Sequence, residues 1–216
     1  MKITDIKPVK RNKSRSSVFL DGNFAFSLAN SVIADTGIKK GDTLSREELN
    51  KIVKRREFQK AVDYALLLLS YRPRSVSELY RKMEEKGYET DIIDKVAGDL
   101  KSEGVLGDKS FALWWIAQRR EGRPKGDIAI KSELKSKGVK EGVIEEALLE
   151  ANRSRTEDEL DLAWKACKSR LDGYRRLPED KAARRLSSLL RRRGFNFEVI
   201  NKVLDKFLEG KLNYEK

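Results

Sequence analysis

The chain has 216 residues, 39% of them hydrophobic and 38% charged, and its 47 Lys and Arg against 35 Asp and Glu give a net charge of +12. That much apolar material supports a folded core. The absence of histidine and the single cysteine, Cys167, exclude Ser-His-Asp and Cys-His catalysis, imidazole metal ligation, a multi-thiolate zinc site and an intramolecular disulfide.

The charge is uneven: +7 over residues 1–56, −3 over 57–108, +4 over 109–155 and +4 over 156–216. A basic surface attracts polyanions, so nucleic acid, an acidic protein or an anionic membrane are the candidate partners. The start has no apolar signal segment, and the aliphatic run Ala65 to Leu69 falls far short of the roughly twenty residues that span a bilayer. A cytoplasmic protein with no membrane partner is therefore expected. Cys167 follows Ala163 and Ala166 in a helical pattern, which predicts a buried small apolar role.

In chain order, the first 28 residues carry the only β signal. Ile3 to Val9 is a candidate strand, and Lys10 to Ser17 reads as a polar, basic connection. Val18-Phe19-Leu20 and Phe24-Ala25-Phe26 then flank Asp21-Gly22-Asn23, a hairpin signal because the turn needs positive φ angles. Phe19, Phe24 and Phe26 are expected to form the core of this small subdomain. A short helix from Ala29 to Asp35 ends at Gly37, and Gly41-Asp42 marks a turn. Ser45-Arg46-Glu47-Glu48 reads as a capping box. Residues 46–69 fit either one long helix or two that break near Arg55-Arg56-Glu57.

Beyond this point only helices are expected, and they repeat. Leu79, Met83, Gly87, Ile93 and Val96 recur 51 residues later as Ile130, Leu134, Gly138, Ile144 and Ala147, and after a further 56 as Leu186, Leu190, Gly194, Ile200 and Val203. Each stretch reads as an amphipathic helix, a basic residue and glycine (Lys86-Gly87, Lys137-Gly138, Arg193-Gly194), an apolar residue (Tyr88, Val139, Phe195) and a second helix. Glycine supplies the left-handed stop, and the cation before it suits the negative helix end. An earlier helix, marked by Tyr64-Ala65-Leu66, Phe111-Ala112-Leu113 and Leu162-Ala163-Trp164, completes each unit. The extra length of the later copies is placed in the loops Tyr71 to Arg74, Glu121 to Gly126 and Leu171 to Pro178. Ser75 to Glu78 and Thr156 to Glu159 read as further capping boxes, Asp108 and Asp127 as N-caps, and Pro178 as a first-turn residue.

The predicted fold is mainly α. Residues 1–56 form a β-hairpin subdomain with short helices, and three-helix repeats follow over 57–107, 108–155 and 156–216. Such repeats touch mainly their neighbours and stack into an extended body, straight or curved.

No phosphate-binding glycine loop or dinucleotide fingerprint occurs, and the acids are scattered without a metal-site pattern, so no catalytic, cofactor or metal residues are assigned. Three basic surfaces remain. Lys10, Arg11, Lys13 and Arg15 offer a non-specific polyanion contact. Trp115, adjacent to Trp114 and close to Arg119, Arg120, Arg123 and Lys125, suits base stacking or an interface anchor, unless both rings fill gaps between units. Arg184, Arg185, Arg191, Arg192 and Arg193 share a helix with buried Leu186, Leu189 and Leu190, which predicts an outward basic stripe able to meet phosphate or carboxylate, or simply a solvated face.

These residues also resemble the RecX family of bacterial regulators over Phe58 to Leu208. The resemblance rests on Arg72-x-Arg74-Ser75-x-x-Glu78-Leu79-x-x-Lys82-Met83-x-x-Lys86-Gly87-Tyr88, on Val105-Leu106-Gly107-Asp108-x-x-Phe111-Ala112-x-x-Trp115, on Lys125-Gly126-x-x-x-Ile130-x-x-Glu133-Leu134-x-x-Lys137-Gly138 and on Arg192-Arg193-Gly194-Phe195. Gly107 departs from the acidic residue common there, and residues 1–56 stand outside the shared region. The resemblance implies a cytoplasmic, non-catalytic modulator that lodges along the RecA recombinase filament on single-stranded DNA and suppresses its ATP hydrolysis, strand exchange and co-protease function; a monomer is expected. Contact with double-stranded DNA is a further expectation. A general nucleic-acid-binding repeat protein and an adaptor for an acidic protein are the rival readings.

Overall fold

The computed structural model describes residues 1–10, 12–154 and 157–212. Their order is β1 (Ile3–Val9), β2 (Asn12–Leu20), β3 (Asn23–Ala29), α1 (Asn30–Thr36), α2 (Arg46–Tyr71), α3 (Val76–Glu85), α4 (Thr90–Ser102), α5 (Asp108–Arg120), α6 (Asp127–Ser136), α7 (Glu141–Arg153), α8 (Glu159–Arg175), α9 (Glu179–Arg192) and α10 (Phe197–Leu212). They divide into two compact bodies, Met1–Ser70 with Met83–Val96, and Tyr71–Lys82 with Ala97–Lys216.

In the first body three antiparallel strands pair in the order β1-β2-β3. Asp21 (φ +47°) and Gly22 (φ +86°) make the tight turn that the Asp-Gly pair demands. The basic stretch read as a connection is itself strand, since β2 begins at Asn12. Its alternation explains why: Ser16, Val18 and Leu20 face inward, where they join Ile3, Phe26, Leu28, Val32, Ile38, Leu44 and Ile52. Of the three phenylalanines assigned to this core only Phe26 belongs to it. Phe24 is 61% exposed and meets the half-buried Phe19 edge-on, with centroids 5.9 Å apart. Gly37, at φ +66°, ends α1, and the Ser45 and Glu48 box opens α2: Ser45 Oγ accepts from the Glu48 amide at 3.1 Å, and the carboxylate accepts from the Ser45 amide at 2.8 Å. Helix α2 then runs unbroken for 26 residues.

The repeat grammar holds in detail. All twelve matched apolar positions are at most 3% exposed. Gly87, Gly138 and Gly194 have φ of +91°, +79° and +81°. The amides of Tyr88, Val139 and Phe195 donate back to the carbonyls of Met83, Leu134 and Leu190, closing each turn. Two of the expected caps act differently. Asp108 is the first residue of α5, not its cap, and its carboxylate instead accepts from the Val76 amide at 2.9 Å, capping α3. Asp127 is likewise inside α6, where it accepts from Arg120 and Asn152. Thr156 lies outside the described residues; α8 is opened by a reciprocal pair, Asp158 and Asp161.

Between the first and second helices the loop lengthens as expected from the first unit to the second, but not in the third. Residues 72–75, 121–126 and 176–178 connect them, so in the third unit the added residues extend α8 and α9. That lengthening affects how units join. Ser75 Oγ donates to the Lys137 carbonyl at 2.6 Å, and at the equivalent position in the next unit the Gly126 amide donates to the Arg193 carbonyl at 2.9 Å. Thus the basic-glycine turn of one unit seats on the start of the preceding unit's second helix. The third equivalent is Ala182, whose amide is already bonded to the Pro178 carbonyl inside the extra turn of α9. The seat is filled there by the helix itself.

Candidate nucleic-acid interface

The predicted surface residues fall into different environments. Near the amino terminus, Lys10 and Lys13 are exposed, Arg15 donates to the Ser27 carbonyl across the hairpin at 3.0 Å, and Arg11 lies outside the described residues.

Around Trp115 most of the cations are engaged within the protein. Trp115 Nε1 donates to Glu133 at 2.9 Å, Arg119 pairs with the same carboxylate at 2.7 Å, and Lys125 pairs with it too. The Arg119 guanidinium sits 4.0 Å from the indole centroid and the Lys137 ammonium 4.2 Å, so the ring lies within reach of two cations. Lys137 also reaches Glu78 at 2.9 Å, and Arg72 reaches it at 3.0 Å. Glu78 is 5% exposed. Burial pushes its carboxyl up, but the hydrogen bonds and charges of Arg72 and Lys137 outweigh that and hold it at about 2. Glu133 is lowered in the same way, burial being outweighed by Lys125, Arg119 and Trp115. Arg120 is tied to Asp127 at 2.9 Å and to Asn152 at 2.6 Å. Both tryptophans are half-buried and stack near Phe111. Trp115, Arg119, Arg120 and Lys125 are therefore engaged inside the second unit, with Lys137 linking the group to Glu78 of the first, and of this group Arg123 alone keeps an exposed side chain.

Helix α9 differs. Lys181, Arg184, Arg185, Arg191 and Arg192 are all exposed. At 100° per residue they fall within an arc of about 120° and extend over about 16 Å of helix. Leu186 and Leu190 fill the opposite side, fully buried in a core with Ala182, Phe195, Val203 and Phe207. Among the described residues no carboxylate pairs with Arg184, Arg185 or Arg191, whereas Arg192 donates to Ser188 at 2.9 Å. Arg193 turns away from the stripe to donate to the Arg123 carbonyl at 2.8 Å. Lys181 was not foreseen; the extra turn of α9 that carries it is not apparent from the repeat spacing. Helix α6 forms the contrast: Lys131 pairs with Glu141 at 2.8 Å and Glu145 at 2.9 Å, and Lys135 with Glu141 at 2.9 Å. Those two lysines hold the Glu141 carboxyl down at about 2.

Cys167 is buried, and burial pushes its thiol up to about 11, far from thiolate reactivity at neutral pH. No helix among the described residues is long and apolar enough to cross a membrane.

Comparison with known proteins supplies the family context. Residues 1–45 match the model of the regulatory protein RecX N-terminal domain, and residues 61–100, 108–148 and 157–204 match those of the first, second and third three-helix domains of RecX. The first match corrects the expectation that the β segment stands outside the shared region. A regulatory protein RecX of Bacillus pumilus is 32% identical over 214 residues, covering 96% of this chain and 78% of that one. One of Clostridium perfringens is 31% identical over 205 residues, 94% of each. A crystal structure of regulatory protein RecX superposes with a TM-score of 0.74 at 26% identity, covering 94% of this chain and 98% of that one.

Proposed function

The chain belongs to the RecX family of regulatory proteins, and from that premise we propose that it is a non-catalytic regulator of RecA which binds the recombinase filament on single-stranded DNA and lowers its ATPase, strand-exchange and co-protease activities. It works as a monomer in the cytoplasm, through an N-terminal subdomain over residues 1–56 and functional units over 57–107, 108–155 and 156–216.

The observation that carries this reading is the stripe on α9. Five exposed cations on one helical face, four of them arginines without a carboxylate partner among the described residues, form an anion-binding surface that the fold itself does not use. Guanidinium groups bind phosphate oxygens by paired hydrogen bonds. A filament that displays both protein and nucleic-acid backbone offers such an anion.

The test is a titration of the ATPase of RecA on single-stranded DNA. Inhibition is expected at protein concentrations too low to coat the DNA. If inhibition appears only when the DNA is saturated, the protein is a general single- or double-stranded nucleic-acid binder acting by competition.

A further inference from the structure

The second and third units differ at one seam in a way that assigns a specific contact. In the second unit the seam between α6 and α7 is closed by charge, with Lys131 and Lys135 paired to Glu141 and Glu145. Fifty-six residues on, the same four positions hold Ser187, Arg191, Phe197 and Asn201. Both acids are gone, Arg191 is exposed without a carboxylate partner among the described residues, and Phe197 is 77% exposed at the first position of α10. The neighbouring acid, Glu198, is satisfied by Lys202 at 2.7 Å.

An aromatic ring this exposed contributes nothing to the core beneath it, which is filled by Phe195, Val199, Ile200 and Val203. By the repeat register Arg191 and Phe197 occupy the positions of the paired Lys135 and Glu141. We propose that the α9–α10 seam of the third unit is a base-stacking subsite for single-stranded nucleic acid: Phe197 stacks on an unpaired base while Arg191 and its stripe neighbours Arg184 and Arg192 hold the flanking phosphates. The assignment rests on the nucleic-acid reading of the stripe and deepens it. Single strands fit because their bases expose a π-face at the spacing of the backbone charge, which a duplex conceals.

The test uses the full-length protein and fluorescein-labelled oligonucleotides of equal length, one of deoxythymidine and one of abasic sugar-phosphate, read by anisotropy at moderate salt. Phe197→Ala should weaken thymidine binding about fivefold or more, the scale of one stacked base, and leave abasic binding unchanged. Phe197→Trp should keep it. Phe197→Glu, which restores the acid of the second unit, should weaken both oligonucleotides. Charge reversal at Arg184, Arg191 and Arg192 should weaken both as well. Because Phe197 is a surface residue, an unchanged helical circular-dichroism spectrum is expected in each case. Equal affinity of wild type and Phe197→Ala for thymidine, or an equal loss on the abasic strand, overturns the stacking subsite alone. Failure of the wild type to bind either strand overturns the stripe reading with it. Loss of binding to an acidic peptide and not to DNA would instead assign the ring to a protein partner, against the proposal.

Discussion

The two joints between units are made by the same turn on the same seat, yet they are held by different chemistry. At the first, a side chain supplies the bond to the Lys137 carbonyl, and a buried carboxylate, Glu78, collects Arg72 and Lys137. At the second, backbone meets backbone: the amides of Gly126 and Ile128 donate to the carbonyls of Arg193 and Gly194, and the approach is so close that glycine is required on both sides. Where charge makes the joint, the cations are consumed by it. The first joint needs a glycine too, since a Cβ on Gly138 would lie 2.4 Å from Ser77 Cβ. At the second joint, however, glycine stands on both sides, the arginines of the helix leading into it are left for the outside, and there the unengaged stripe is found.

The two joints differ most at their glycines. A Cβ on Gly194 would lie 2.3 Å from the Ala129 amide nitrogen and Cβ, on a residue already at φ +81°. Gly194→Ala should cost about 4 kcal/mol or more, among the largest single-residue effects. Gly87, with the same left-handed φ, has nothing within 4 Å of such a Cβ, so Gly87→Ala should cost only the left-handed penalty of about 1–2 kcal/mol. Thermal unfolding of the two variants measures the difference directly. Equal losses would mean that the second joint is not a close backbone contact.

At the charged joint, Glu78→Gln should cost roughly 1.5–3 kcal/mol, the range for a hydrogen bond to a charged group. Acid should mimic it. The folded carboxyl, at about 2, lies below its ordinary value of 4.5, so its stabilisation is complete above the latter and drains away as pH falls towards the former. Wild type should therefore lose stability over that window more steeply than Glu78→Gln, and parallel pH profiles would remove Glu78 from the joint. A smaller effect, close to none on thermal unfolding, is expected for Lys131→Ala with Lys135→Ala, because solvent screens exposed ion pairs, and nucleic-acid binding should scarcely change.

The framework was legible because its signals are local. Glycine after a basic residue, apolar positions three and four apart and the repeat offsets of 51 and 56 marked the second and third helices of each unit, and Asp21-Gly22 marked the hairpin. The outward face of α9 also followed from periodicity. What escaped depends on neighbours distant in the chain. Asp108 looks like the cap of its own helix but caps α3, 32 residues earlier. Lys125 and Arg119 look free until Glu133 is folded between them. Phe24 looks like core because apolar residues usually are, and only the packing shows that it stands outside; Phe197, not singled out in the sequence, stands outside as well. For Phe197 a signal was present: the equivalent residues, Thr90 and Glu141, are polar, which marks the position as a surface one.

The cations serving the outside lie on α9, and those of α6 do not serve it. That division is tested most directly by the salt dependence of single-stranded DNA affinity for wild type, for the charge reversal of Arg184, Arg191 and Arg192, and for Lys131→Ala with Lys135→Ala. Each phosphate contact contributes about 0.7 to the slope of log affinity against log salt, so the arginine variant should lose a slope of about 2 with its helical signal intact, and the lysine variant should keep the wild-type slope. A lysine variant that loses as much slope as the arginine variant, or an arginine variant that loses none, would contradict the account.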